Sequence, residues 1–225
     1  SPRAFAIYPE YLNSLEVAAC PSDSGGDPEW ASVLQRVPSS GDFESWKQSA
    51  INAADKISLD YFQTAELARS YHYKGYVTTS AAEYYGVWGA KATNAIVGSA
   101  PILGVGTVNV KDYSGDLSVV SPIWPPWVPA PPLATGTAGS EKVMRLRQGI
   151  ERFLITDIND PVRASKAESD VPILWDTYGA SSFTDSGNAQ VVFNHLPGGS
   201  NVLYMDGHVV FVKYPGSFPI TGDEQ

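Results

Sequence analysis

Apolar positions recur with different periods along this chain, and the period changes wherever Gly and Pro cluster. The opening stretch, Ile7-Tyr8-Pro9-Glu10-Tyr11-Leu12 and then Leu15 to Cys20, ends in the turn-rich run Pro21-Ser22-Asp23-Ser24-Gly25-Gly26-Asp27-Pro28. Pro fixes φ and Gly supplies positive φ, so a loop is expected after the cysteine. From Glu29 to Gly89 the spacing is helical and predicts helices near 43–56, 61–70 and 80–97. Asp60 with Gln63 and Ser80 with Glu83 have capping-box spacing, which marks two helix starts. Between the last two helices, Tyr71 to Thr79 is rich in aromatic and β-branched residues and predicts a strand, in which His72 is read as a packed residue.

Beyond residue 97 the pattern breaks. Residues 98–140 are expected to form one long irregular insertion, because Trp124-Pro125-Pro126-Trp127-Val128-Pro129 supports neither a helix nor a central strand. Either that segment folds back over its own core, or Trp124, Trp127, Pro125 and Pro126 form a subunit or ligand contact. Val143, Leu146, Ile150, Phe153 and Leu154 share one side of a helix expected over 141–155, with Ser140 as cap and Glu141–Arg145 and Arg147–Glu151 as charge pairs on its wet faces.

Near the C-terminus, Val202-Leu203-Tyr204-Met205 and Val209-Val210-Phe211-Val212 flank Asp206-Gly207, which predicts a hairpin with a type I′ turn. In that register Leu203, Met205, His208 and Val210 share one face, and Val202, Tyr204, Val209 and Phe211 the other. A ribbon apolar on both faces needs cover on both sides. A ribbon wet on one side, with His195 lining an accessible cavity beside a reactive partner, would overturn the structural reading.

Composition narrows the class. With 43% hydrophobic and 17% charged residues over 225 positions, the chain is a folded globular protein, read as a single domain over 1–225. The net charge of −9 repels phosphate backbones and anionic headgroups, so nucleic acid is not an expected partner. No run reaches the roughly eighteen apolar residues of a membrane helix. The chain starts at Ser1 without a leader pattern, so any targeting segment is expected to have been removed or never present. Cys20 is the one cysteine, expected to be a small buried residue; an intrachain disulfide is impossible, and no cysteine-based zinc site is expected within one chain.

The run Phe193-Asn194-His195-Leu196-Pro197-Gly198-Gly199-Ser200-Asn201-Val202-Leu203-Tyr204-Met205-Asp206-Gly207-His208-Val209 resembles the signature of the prepilin-type processing-associated H-X9-DG family. Ten residues instead of nine separate His195 from Asp206, because Leu196 stands between the histidine and Pro197-Gly198-Gly199. Cys20-Pro21-Ser22-Asp23 is similar to a string these proteins carry ahead of a variable middle, and Leu146 to Asp160 and Pro172 to Asp176 add further similarity. The resemblance implies a pilin-like α+β fold, with an antiparallel sheet that includes the C-terminal hairpin and helices on one face. It also implies an exported, extracellular or cell-surface protein, touching the membrane only through a segment absent from this chain. Its implied partners are copies of itself or other pilin-like subunits, and it implies no catalytic activity.

The chemistry of the residues points the same way. His195 and Asp206 could form an acid–base pair, but no nucleophile elbow, zinc-protease motif or phosphate-cradling loop accompanies them. As structural residues they explain more: Asp206-Gly207 makes a turn, Gly198-Gly199 a chain reversal, and His195 would lock that reversal through backbone groups. Asp157, Asn159, Asp160 and Asp176 offer oxygens for a Ca2+ site, a reading that analogy with calcium-bearing pseudopilins supports. The expected function is a structural, non-enzymatic subunit of a filament, pseudopilus or surface assembly. The alternatives are a secreted glycan- or ligand-binding module using Tyr71, Tyr73, Tyr84, Tyr85 and Trp88, and a hydrolase centred on His195.

Overall fold

The computed structural model describes residues 20, 22, 40–73, 75–104, 106–120, 133–150, 168–181 and 190–221. In chain order its helices are α1 (Ser40–Asn52), α2 (Lys56–Ser70) and α3 (Ala81–Thr93). Its strands are β1 (Tyr71–His72), β2 (Ile96–Ile102), β3 (Gly106–Lys111), β4 (Leu117–Ser118), β5 (Lys142–Val143), β6 (Pro172–Asp176), β7 (Tyr178–Ser181), β8 (Gln190–Phe193), β9 (Gly199–Tyr204) and β10 (Val209–Lys213). The protein is therefore a mixture of helix and antiparallel sheet, an α+β chain. It divides into two compact units: residues 1–73, 96–110 and 176–200 in one, and 74–95, 111–175 and 201–225 in the other.

In the first unit, α1 and α2 bury Ala50, Leu59 and Phe62 with Ile102 of β2, and Trp46, Ile51, Tyr61 and Val108 pack around them. The start of α2 lies four residues before the Asp60 of the expected capping box. Asp55 caps it instead, its carboxylate accepting from the Ser58 amide at 3.2 Å and the Ser58 hydroxyl at 2.7 Å. Strand β2 pairs with β3 and β7 with β8, the latter in the register Tyr178↔Phe193 to Ser181↔Gln190. The β2–β3 hairpin corrects the expectation of an irregular 98–140: Thr107-Val108-Asn109-Val110 alternates with the period of a strand, and Gly104 and Gly106 supply the positive φ of the turn.

In the second unit, α3 begins as the sequence predicts, with Ser80 accepting from the Glu83 amide at 3.4 Å. Glu83 reaches one residue further back than a capping box requires. Its buried carboxylate accepts from the Thr79 amide at 2.6 Å, the Thr79 hydroxyl at 2.9 Å and the Ala138 amide at 2.9 Å. The helix stops at Thr93 rather than at 97. The strand expected over 71–79 shrinks to Tyr71–His72 and a single bridge between Tyr76 and Arg145.

Residues 141–149 are not helical, and 151–155 of the expected helix lie outside the described residues. β5 pairs with β4 in the register Leu117↔Val143, Ser118↔Lys142. The amides that a helix would send four residues back are taken elsewhere: Met144 donates to Thr137 Oγ1 at 2.9 Å, Arg145 to Asp116 Oδ1 at 2.8 Å and Leu146 to the Gly75 carbonyl at 3.0 Å. Arg145 donates to the Tyr113 carbonyl at 2.6 Å in place of the expected pair with Glu141, and Arg147 pairs with Asp116 at 3.1 Å; Glu151 lies outside the described residues. Two apolar clusters result: Tyr76, Val87, Ala90 and Val143 under α3, and Val77, Ile150 and Val171 with Met144, Leu146, Ile173 and Met205. β6 pairs with β9 (Leu174↔Leu203, Trp175↔Val202), and β10 ends the sheet beyond β9.

The hairpin between β9 and β10 forms, but its turn is one residue longer than the type I′ form. The Gly207 amide donates to the Tyr204 carbonyl, the Tyr204 amide donates to the His208 carbonyl, each at 3.0 Å, and Gly207 has φ +91°. This is a three-residue loop closed by a glycine in the left-handed region. The extra residue moves His208 onto the face of Tyr204, and the two rings stack at 4.5 Å. The expected two-sided cover is also absent on β10, where Val209, Val210 and Phe211 are 59%, 43% and 42% exposed and Val212 is buried.

Candidate functional site

The first unit holds the one group of three metal-ligating side chains found among the described residues: Cys20, Asp176 and His195. Each arrives by a different route. Asp176 is the last residue of β6, where strand geometry turns its side chain into the interior, and its carbonyl accepts from the buried Ser200 hydroxyl at 2.8 Å. His195 opens the reversal between β8 and β9. The Gly198 amide donates to the His195 carbonyl at 3.1 Å across a cis Leu196–Pro197 peptide, and His195 bridges Gly199. Gly198 has φ +112°, a conformation that only glycine takes without strain. Leu196, the residue that lengthens the spacing to Asp206, sits at the exposed tip of this turn, so the extra residue is absorbed there.

The imidazole does not lock the reversal through backbone groups, as the sequence suggests. Its Nε2 lies 3.0 Å from Asp176 Oδ2 and 3.6 Å from Cys20 Sγ. The Asp176 side chain is 4% exposed, Cys20 7% and the His195 side chain 24%, so the group opens towards solvent on the imidazole side only. Both partners address the same nitrogen. A relay of the Cys-His-Asp kind needs the carboxylate on Nδ1 and the thiol on Nε2, so that one ring passes a proton between them. The arrangement here is convergence on a point. Thr177 Oγ1 and Asn194 Nδ2, each next along the chain to one of these residues, are buried without a hydrogen-bonding partner.

Asp206 bonds to a different partner. Its carboxylate accepts from the His208 amide at 3.1 Å and pairs with His208 Nδ1 at 2.5 Å. These bonds hold its carboxyl below the ordinary carboxylate value, the backbone bond contributing most. His195 and Asp206 thus serve two different turns, and the acid–base pair suggested by the motif is replaced by His195 with Asp176.

Of the possible calcium set, Asp157, Asn159 and Asp160 lie outside the described residues, as do Trp124, Trp127, Pro125 and Pro126. Among the aromatic candidates for ligand binding, Tyr85 is buried, Tyr84 packs 6.2 Å from the Trp175 ring and Trp88 is exposed. The convergence of Cys20 and Asp176 on His195 was invisible to motif reading because the cysteine is 175 positions from the histidine. The signal that could have found it is that three of the quoted strings, Cys-Pro-Ser-Asp, Pro172 to Asp176 and the histidine run, each contain one residue of the group. No helix among the described residues is long and apolar enough to cross a membrane. No family model, curated protein or solved structure matches this chain.

Proposed function

We propose that this chain is a structural, self-associating component of an extracellular pilin-like assembly, with copies of itself as its partners. The observation that carries the reading is the apolar edge of the C-terminal sheet. Among the described residues β10 ends that sheet, and its Val209, Val210 and Phe211 are exposed. Alternation from the Tyr204–His208 bond turns the peptide groups of Val209, Phe211 and Lys213 away from β9. Proteins that stay monomeric blunt such an edge with charge, proline or a bulge.

Charge selects a second copy as the occupant. Copies of a chain with net charge −9 repel one another except where acids are absent, and Val209-Val210-Phe211-Val212-Lys213 contains none. Two-fold pairing about Phe211 sets Phe211 against itself, Val210 against Val212 and Val209 against the aliphatic stem of Lys213, a self-complementary interface. The resemblance to the H-X9-DG proteins supports the pilin-like and extracellular parts of the reading. In this account the His195 reversal and the Asp206-Gly207 turn hold β9 and β10 in register.

Light scattering over a hundredfold concentration range tests it. The chain is expected to gain mass with concentration, and Phe211→Lys combined with Val209→Lys to remain monomeric. A wild-type chain of constant monomer mass, saturable by a small ligand, would favour the binding-module alternative.

A further inference from the structure

We propose that Cys20, Asp176 and His195 bind a divalent transition-metal ion of the zinc class, with the fourth position open on the solvent side of His195. The proposal is independent of self-association. A ring nitrogen offers one in-plane position, either a proton to give or a lone pair to accept with. Asp176 Oδ2 and Cys20 Sγ both approach that position on Nε2, and a single proton cannot serve both. A cation between the three atoms serves all of them at once.

The spacing fits. Bonds of ~2.3 Å to sulfur and ~2.0–2.2 Å to nitrogen and oxygen, at tetrahedral angles, set donor atoms roughly 3.3–3.6 Å apart. The sulfur–nitrogen distance is 3.6 Å, the nitrogen–oxygen distance 3.0 Å, and all three atoms lie within 4.8 Å of one another. The nitrogen and oxygen stand a few tenths of an ångström closer than a bound ion would set them. The donor set also chooses the metal. Thiolate and imidazole favour zinc and its neighbours, whereas calcium and magnesium take oxygen alone. Three protein ligands with one open position is the arrangement of sites that hold water or a further ligand. A cysteine-based site was not expected from one cysteine, but a mixed donor set needs only one.

The single cysteine makes the test clean. The chain is stripped with a chelator, returned to reducing buffer and titrated with Co2+, and the near-ultraviolet thiolate-to-cobalt charge-transfer band is followed. Any such band must come from Cys20, because the other two histidines and the surface acids bring no sulfur. The proposal expects a band that saturates at one ion per chain and is displaced by Zn2+ but not by Ca2+. It also expects the Zn2+ affinity of Cys20→Ser and His195→Ala to fall by at least about 100-fold. No band in the folded wild-type chain at saturating Co2+ would overturn the site and leave a hydrogen-bonded turn. Because the wild-type chain alone gives this readout, a variant that fails to fold cannot obscure it.

Discussion

Single residues decide where the helices of this protein begin, and two acids show how. Glu83 is buried and its carboxylate gathers three donors, two from Thr79 and one from Ala138, tying the start of α3 to the turn at 137–139. Hydrogen bonds to a charged acceptor are each worth about 1.5–3 kcal/mol, and a buried donor left unpaired costs about 1–3 kcal/mol. Glu83→Ala is therefore expected to lower unfolding stability by about 2–4 kcal/mol in urea titrations, and Glu83→Gln by less. Asp55 is the half-buried counterpart. The Ser58 hydroxyl, and next its amide, hold the Asp55 carboxyl below its ordinary value of 3.8. A carboxyl depressed by folding stabilises the native state above its unfolded value, and that stabilisation fades as pH falls through the folded value. Asp55→Ala should therefore cost about 1 kcal/mol at neutral pH. The gap to wild type should close below pH ~3.8 when thermal midpoints are compared across pH. Ser80 and Glu83 could be read from spacing because their partners are local. Asp55 escapes the capping-box pattern because Ser58, not Glu or Gln, stands three residues on, whereas Asp60 and Gln63 complete it.

At the scale of elements, the sequence was legible where bonds are local and misleading where they are not. α1, α2 and α3 and the C-terminal hairpin form where their patterns place them, with helix ends shifted by up to five residues. Residues 141–150 carry a helical stripe, yet Lys142–Val143 pairs as strand and Arg145 bridges Tyr76, because Thr137, Asp116 and Gly75, seven to 71 positions away, take the amides of Met144, Arg145 and Leu146. Periodicity identifies which residues face a core, here Val143, Leu146 and Ile150, and leaves open which backbone brings them there. The hairpin makes the same point more finely. Asp-Gly correctly marks the turn, but closing it through Gly207 over three residues exchanges the face of His208. Gly207, at φ +91°, is expected to resist replacement: Gly207→Val should cost about 1–3 kcal/mol in thermal unfolding, and Gly207→Asn less. A second glycine is constrained by space. A Cβ on Gly86 of α3 would stand 2.0 Å from the Thr135 carbonyl oxygen, so Gly86→Ala should destabilise by about 1–3 kcal/mol in the same assay, although alanine is the better helix former.

The whole molecule is acidic, and its exposed C-terminal strand is apolar. The sequence indicated the hydrophobic ribbon and its need for cover; the structure adds that β10 carries that cover on Val212 and leaves Val209, Val210 and Phe211 exposed. The cysteine–histidine–aspartate group belongs to the same level of organisation. Its members lie far apart in the chain, and only the folding of the first unit brings them to one point. Edge-to-edge pairing of β10 is the claim on which the functional account turns, and amide hydrogen exchange at low and high protein concentration tests it most directly. The account predicts that the outward amides of Val209, Phe211 and Lys213 become protected as concentration rises, while Val210 and Val212, bonded to β9, are protected throughout. Exchange at Val209, Phe211 and Lys213 that stays equally fast at every concentration would contradict it.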